Sequence, residues 1–232
     1  DTQNNLSLNE VINLGIPHVG ELIFESIDTP GLINCVEVSQ TWKVLAENVL
    51  IKRWKGKMLE ACKSGETKLV QLLLERCNSE ESGLNTKDKV GRTPFMWACK
   101  DGHKDVVKLL LERYNSEESG LNAKDKNGCT AFMWACKNGH KDVVKLLFNN
   151  SDRIELNART KMGYTAFIVA CHYGQKDVVK FLLNNSERIE LNVRDRYGNN
   201  AFDVACHCGH RDVVIMLAEA KEVEISPFKK SD

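Results

Sequence analysis

Along most of the chain, short apolar runs come in pairs separated by polar stretches. Phe95, Met96, Trp97, Ala98 and Cys99 form one run between Thr93 and Gly102. Thr is a good N-cap, and Pro94 is tolerated in a first helical turn because its missing N–H would be unpaired anyway. Gly102 then ends that helix in a left-handed conformation. His103-Lys104-Asp105 opens a second helix, in which Val106, Val107, Leu109, Leu110 and Leu111 are spaced to cover one face. A polar loop follows, and Leu121-Asn122-Ala123-Lys124-Asp125 leads into the next pair.

The pairs repeat. The octet Asn78 to Asn85 returns unchanged as Asn115 to Asn122, and Arg153-Ile154-Glu155-Leu156-Asn157 returns as Arg188 to Asn192. Gly91, Gly128, Gly163 and Gly198 mark the same place in each unit, as do Cys62, Cys99, Cys136, Cys171 and Cys206. Such a unit cannot bury its apolar face alone, so stability must come from its neighbours. A cysteine at one fixed place in a repeat acts as a small buried hydrophobe. Equivalent cysteines on helices stacked about 8–10 Å apart are too distant for disulfides, so a reducing, cytoplasmic or nuclear setting is expected.

The unit resembles the ankyrin repeat: a turn with Gly, a Thr-Pro-led first helix, Gly-His, a Val-Val-x-Leu-Leu-Leu second helix and a closing Asn-x-x-Asp. The resemblance runs from about Lys57 to Ala220. It implies an all-α solenoid of about five units, a degenerate one at 57–87 and full ones at 88–124, 125–159, 160–194 and 195–221. Phe95-Met96 stands where the family has Leu-His, and Cys stands for its second Ala. Thr160 replaces the turn aspartate, which leaves that hairpin less well tied.

The stack lacks a polar half-repeat at its N-terminal side, so another element must shield it. Residues 16–54 read as three short helices carrying Leu22, Ile23, Phe24 and Ile27, then Leu32, Ile33 and Val36, then Val38 to Trp54. About 40 residues is too few for an independent core. Their order, Ile16-Pro17, Leu22-Ile23-Phe24, Gly31-Leu32 and Val38-Ser39-Gln40-Thr41-Trp42, resembles the F-box. Gly31 and Ser39 depart from its common Asp and Cys. The resulting division is an extension at 1–13, an F-box-like domain at 14–54, ankyrin repeats at 55–221 and a tail at 222–232.

The F-box resemblance implies docking onto a Skp-family adaptor and so onto a cullin ubiquitin ligase. Pro17, Leu22, Ile23, Ile27, Leu32, Val36, Val38 and Trp42 would make or support that contact. The alternative is that these residues only cap the stack, leaving a plain protein-binding scaffold.

Lys plus Arg and Asp plus Glu both total 32, which argues against a general duplex nucleic-acid binder. The chain has no apolar run long enough to span a bilayer and no secretory pattern at its start. The neutral total can still hide segregation. In the ankyrin resemblance, turn tips and first helices line a concave face. Here that face would carry Lys89, Val90, Arg92, Lys100, Lys126, Asn127, Lys137, Lys161, Met162, Tyr164, Tyr173, Arg196 and Tyr197. His172 lies in the same row, while Glu80, Glu81, Glu117 and Glu118 fall in the loops. The pattern implies an acidic or phosphorylated protein target, with a solvated charged face as the alternative and single-stranded RNA as a minor competitor.

Trp97 and Trp134 share one slot and read as packing between units. Cys206-His207-Cys208-Gly209-His210 has the wrong spacing for structural zinc. His210 matches His103 and His140, which are expected to hydrogen-bond within the hairpin. Asn85, Asn122, Asn157 and Asn192 are expected to hold the turn, and resemble slots of asparaginyl hydroxylation. Lacking a phosphate loop, nucleophile elbow or metalloprotease motif, the chain reads as a non-catalytic adaptor that needs no cofactor.

Overall fold

A computed structural model describes residues 27–32, 40–54, 56–77, 83–114 and 120–225, with side chains omitted at 40–43 and 45. The described residues are all helical or irregular, without strands. Five helix pairs follow one another. They are α2 (Met58–Ser64) with α3 (Thr67–Arg76), α4 (Pro94–Asp101) with α5 (Lys104–Arg113), and α6 (Ala131–Lys137) with α7 (Lys141–Phe148). Then come α8 (Ala166–His172) with α9 (Lys176–Leu183), and α10 (Ala201–His207) with α11 (Arg211–Glu219). Ahead of them lies α1 (Gln40–Trp54).

The expected capping chemistry is present. The hydroxyls of Thr93, Thr130 and Thr165 accept from the backbone N–H three residues on, at 3.2, 3.3 and 3.4 Å. In the last pair Asn200 takes this place in a reciprocal capping box with Asp203. Pro94 sits in the first turn of α4 and Gly102 caps its end at φ +79°. First helices stack on first helices and second on second. This buries Phe95, Phe132 and Phe167 with Val106, Val107, Val143, Val144, Val178 and Val179 in one continuous core. Cys62, Cys99, Cys136 and Cys171 are buried and unbridged, and burial pushes their thiols far above the ordinary range.

Two slots expected to serve their own unit instead join neighbours. The Nε2 atoms of His103, His140 and His210 lie 2.8–3.0 Å from the carbonyls of Lys63, Lys100 and His172 in the preceding unit, and Gln175 donates likewise to Lys137. Asn122 Nδ2 donates to the Arg153 carbonyl while its Oδ1 accepts from Glu155 N–H, in the next unit. Asn157 repeats this bridge, and Asn192 makes the same pair of bonds to Glu222 and Glu224, just past the last unit. Both corrections have one physical cause. Backbone groups at the helix ends, and in the loops that follow them, lack partners in their own unit, and the neighbour's side chains lie closest.

The N-terminal end of the stack is covered as the sequence required. Ala46, Val49 and Leu50 of α1 are buried against the first helix pair. Glu47, 6% exposed, meets Arg76 at 2.8 Å. Arg53 donates to the Ile27 carbonyl and the Trp54 indole to Thr29. Pro17, Leu22, Ile23, Val36 and Val38 lie outside the described residues, as does the side chain of Trp42. Ile27 is half-buried against the core. Leu32 is wholly buried, so any part it takes in an adaptor surface is as support beneath it.

Candidate functional site

Each full unit projects a turn held by its first residue. Asp88 Oδ1 accepts from the N–H groups of Val90 and Arg92, Asp125 from Asn127 and Cys129, and Asp195 from Tyr197 and Asn199, all at 2.8–2.9 Å. Burial raises the Asp88 pKa, but hydrogen bonds from Arg92 and Val90 and the Arg92 charge outweigh it and hold it low. Thr160 accepts only from Tyr164, at 3.1 Å, so the third full unit is tied by one side-chain bond where the others have two or more. Thr160→Asp is expected to raise stability by about 0.5–1.5 kcal/mol, the worth of one net hydrogen bond. A urea titration reads this directly, and a lower midpoint would mean that this turn cannot accept the second bond.

Successive turns are laced together, Lys126 N–H to Val90, Lys161 to Asn127 and Arg196 to Met162, at 2.9–3.1 Å. This lacing lines up Lys89, Lys126, Lys161 and Arg196, the residue after the turn's first position in each unit. All four are exposed, and none forms an ion pair among the described residues. Carboxylates on the same side are already engaged. Asp88 pairs with Arg92 at 2.8 Å, Asp101 with Lys100 at 2.9 Å, and Asp125 and Asp195 are buried under backbone N–H groups. Among the described residues the face is therefore basic in its free charge. Glu80, Glu81, Glu117 and Glu118 lie outside the described residues.

Asn127, Lys137, Lys161, Met162, Tyr164 and Tyr173 are brought together around one opening of about 360 Å³ between the second and third full units. Lys89, Val90, Arg92 and Lys100 flank it on one side, with Arg196 and Tyr197 on the other. Val90, Met162, Tyr173 and Tyr197 are exposed apolar or aromatic groups on a charged face. Arg92 and Lys100 are only partly available, because each is half-buried and ion-paired.

The lining also includes Cys129, Met133, Thr160 and Val169, which sequence reasoning did not single out as binding residues, and Trp134, which it read as packing. Trp97, 8% exposed, fits the expectation of packing. Trp134 differs. Each indole N–H donates 3.2 Å to its turn aspartate, Asp88 or Asp125, which orients the ring along the turn. The Trp134 ring is only half-buried and forms a wall of the opening. His172 also lines it, and burial first, then the His210 and Lys137 charges, lower its pKa, so it is neutral at neutral pH. Burial pushes the Cys129 thiol up to about 11, with Asp125 adding and Lys137 opposing, so it is protonated.

The described residues hold no cluster of acidic, His and Cys side chains fit for a metal, and no helix among them is long and apolar enough to cross a membrane. A stack of helix pairs with laced turns defines a repeat protein built around a recognition face. A family model described as ankyrin repeats (3 copies) matches residues 58–160 and 153–228, and the chain belongs to that family. Its members bind protein partners and are typically interaction modules without catalytic activity. Comparison with individual curated proteins gives no match.

Proposed function

We propose that this chain recruits an acidic or phosphorylated protein target on its concave face. Through the F-box-like segment it presents that target to a Skp-family adaptor and a cullin ubiquitin ligase. The observation that carries target capture is the row Lys89, Lys126, Lys161 and Arg196, which finds no carboxylate among the described residues. Charges arranged this way speed encounter with an oppositely charged partner and fix its register. The adaptor half rests on the order of residues 16–54, and on α1 exposing Val44 to 56% while its other face covers the first helix pair. Because α1 runs almost directly into α2, target and adaptor would be held at a fixed separation.

A second reading, a scaffold without a ligase role, is favoured by one observation. The apolar residues Leu32, Ala46, Val49 and Leu50 are spent inside the molecule. The two readings separate in a binding assay with purified Skp-family adaptor and a known F-box protein as positive control. Stoichiometric binding that is lost in Val44→Asp supports the ligase reading. No binding alongside a working control removes it and leaves the scaffold.

A further inference from the structure

Two successive gaps between first helices are filled differently. Between the first and second full units, the Arg92 guanidinium lies 4.0 Å from the Trp97 ring centre and 5.5 Å from that of Trp134. Its pairing with Asp88 holds it there, so the gap is filled from within the molecule. One unit on, the slot of Arg92 is taken by Cys129, too short to reach across. The slot of the tryptophans is taken by Val169. The opening described above lies at this step. Its buried floor is Met133 and Val169, and its walls include Trp134, Tyr164 and Tyr173. Lys137 Nζ stands 4.6 Å from the ring centres of both Trp134 and Tyr173, so a cation sits against the aromatic walls, and Lys161, Asn127, Thr160 and His172 add polar groups to the lining.

We propose that this opening is an anchor socket for one bulky apolar side chain, foremost an aromatic one, projecting from an acidic linear segment of the protein target. The proposal rests on the concave face being the capture surface. It adds what the cation row alone does not supply, a means of choosing among acidic chains. The occupant follows from the lining. About 360 Å³ lies at the small end of the ~300–1,000 Å³ typical of ligand pockets, room for a side chain or two. Aromatic walls receive an aromatic edge-to-face, and desolvated aromatic anchors are the residues that dominate protein interfaces. Carboxylates next to the anchor would fall within reach of Lys137 and Lys161 at the socket and of Lys126 and Arg196 in the turns on either side. A nucleobase is less favoured, because the chain carries no net positive charge to hold a phosphate backbone.

The test uses the whole chain and two Asp/Glu-rich peptides, identical except for one central Trp or Ala, with calorimetry as readout. Wild type is expected to prefer the Trp peptide by ~10-fold or more, the worth of burying one large apolar side chain. Cys129→Arg, which copies the Arg92 plug, should keep or improve binding of the Ala peptide and erase the preference. Val169→Trp fills the same space from the floor and gives an independent plug should the first variant fold poorly. Equal binding of both peptides by wild type overturns the socket while leaving acidic-target capture intact. A preference that survives in folded plugged variants also overturns it. If neither peptide binds, the capture reading falls and the socket with it. Oligouridylate binding in the absence of peptide binding would reassign the face to single-stranded nucleic acid.

Discussion

Gly128→Ala is expected to destabilise the protein by about 3 kcal/mol, and Gly198→Ala by only about 1–2 kcal/mol, although both occupy the same slot. The backbones match, with φ of +83° and +81°, so the strain of forcing an L-residue into the left-handed region is common to both. The surroundings differ. A Cβ on Gly128 would lie 2.9 Å from Lys161 N and 3.1 Å from Thr160 Cα, whereas one on Gly198 meets nothing within 4 Å. Lys161 N–H makes the bond to Asn127 that laces the second and third turns, and backbone, unlike a flexible side chain, yields only by moving the next unit. Overpacking of this kind typically adds ~1–3 kcal/mol. A repeat stack behaves as a one-dimensional array, so the injury should loosen the chain at that step. Urea unfolding of Gly128→Ala is expected to become broader or biphasic, while Gly198→Ala keeps a single transition. Equal costs for the two variants would mean that the turns are not in contact as described.

Reversing Lys89, Lys126 and Lys161 to Glu is expected to weaken capture of an acidic target by on the order of 100-fold. A single exposed ion pair contributes ~0.2–1 kcal/mol, and reversal both removes the attraction and adds a repulsion. Adjacent tips, set by helices stacked about 8–10 Å apart, are separated by about one Debye length at physiological salt. The three charges therefore act together at low salt and more independently at high salt. The loss should accordingly shrink as salt is raised, and fall largely on the association rate. Thermal stability should hardly change, since none of the three is ion-paired among the described residues. Adaptor binding, at the other end of the chain, serves as the internal control. Undiminished capture by the folded triple variant would leave the row as an ordinary solvated surface.

The helices were legible because their signals are local. A Thr three residues ahead of the N–H it accepts from, a left-handed Gly just past a helix, and valines and leucines at helical spacing each act within a few residues. Repetition multiplied those weak signals into a register for the whole stack, and the unguarded first unit required a cover. Loss of a bond at Thr160 could also be read directly, since a hydroxyl replaces a carboxylate at a slot whose role was clear.

The destinations of side chains that cross between units could not be read so easily. His140 and Asn157 look the same in sequence whether they bind their own turn or a neighbour's carbonyl, because spacing along the chain says nothing about which partner lies nearer after stacking. The socket is the sharpest case. Arg92, Cys129, Tyr164 and Asn199 occupy one slot in successive units, and that variation was visible in the letters. Only in the folded stack does Arg92 prove to be a plug between two tryptophans, and only then does its absence at Cys129 become a hollow. The sequence by itself determined the repeating helix pair and its caps, since each follows from interactions within a few residues, and it showed a basic residue in every turn, which the lacing between units then set in a row. Which gaps between units are filled, and which stays open beside Trp134, was decided by tertiary packing, because a cavity belongs to the distance between two units and to neither alone.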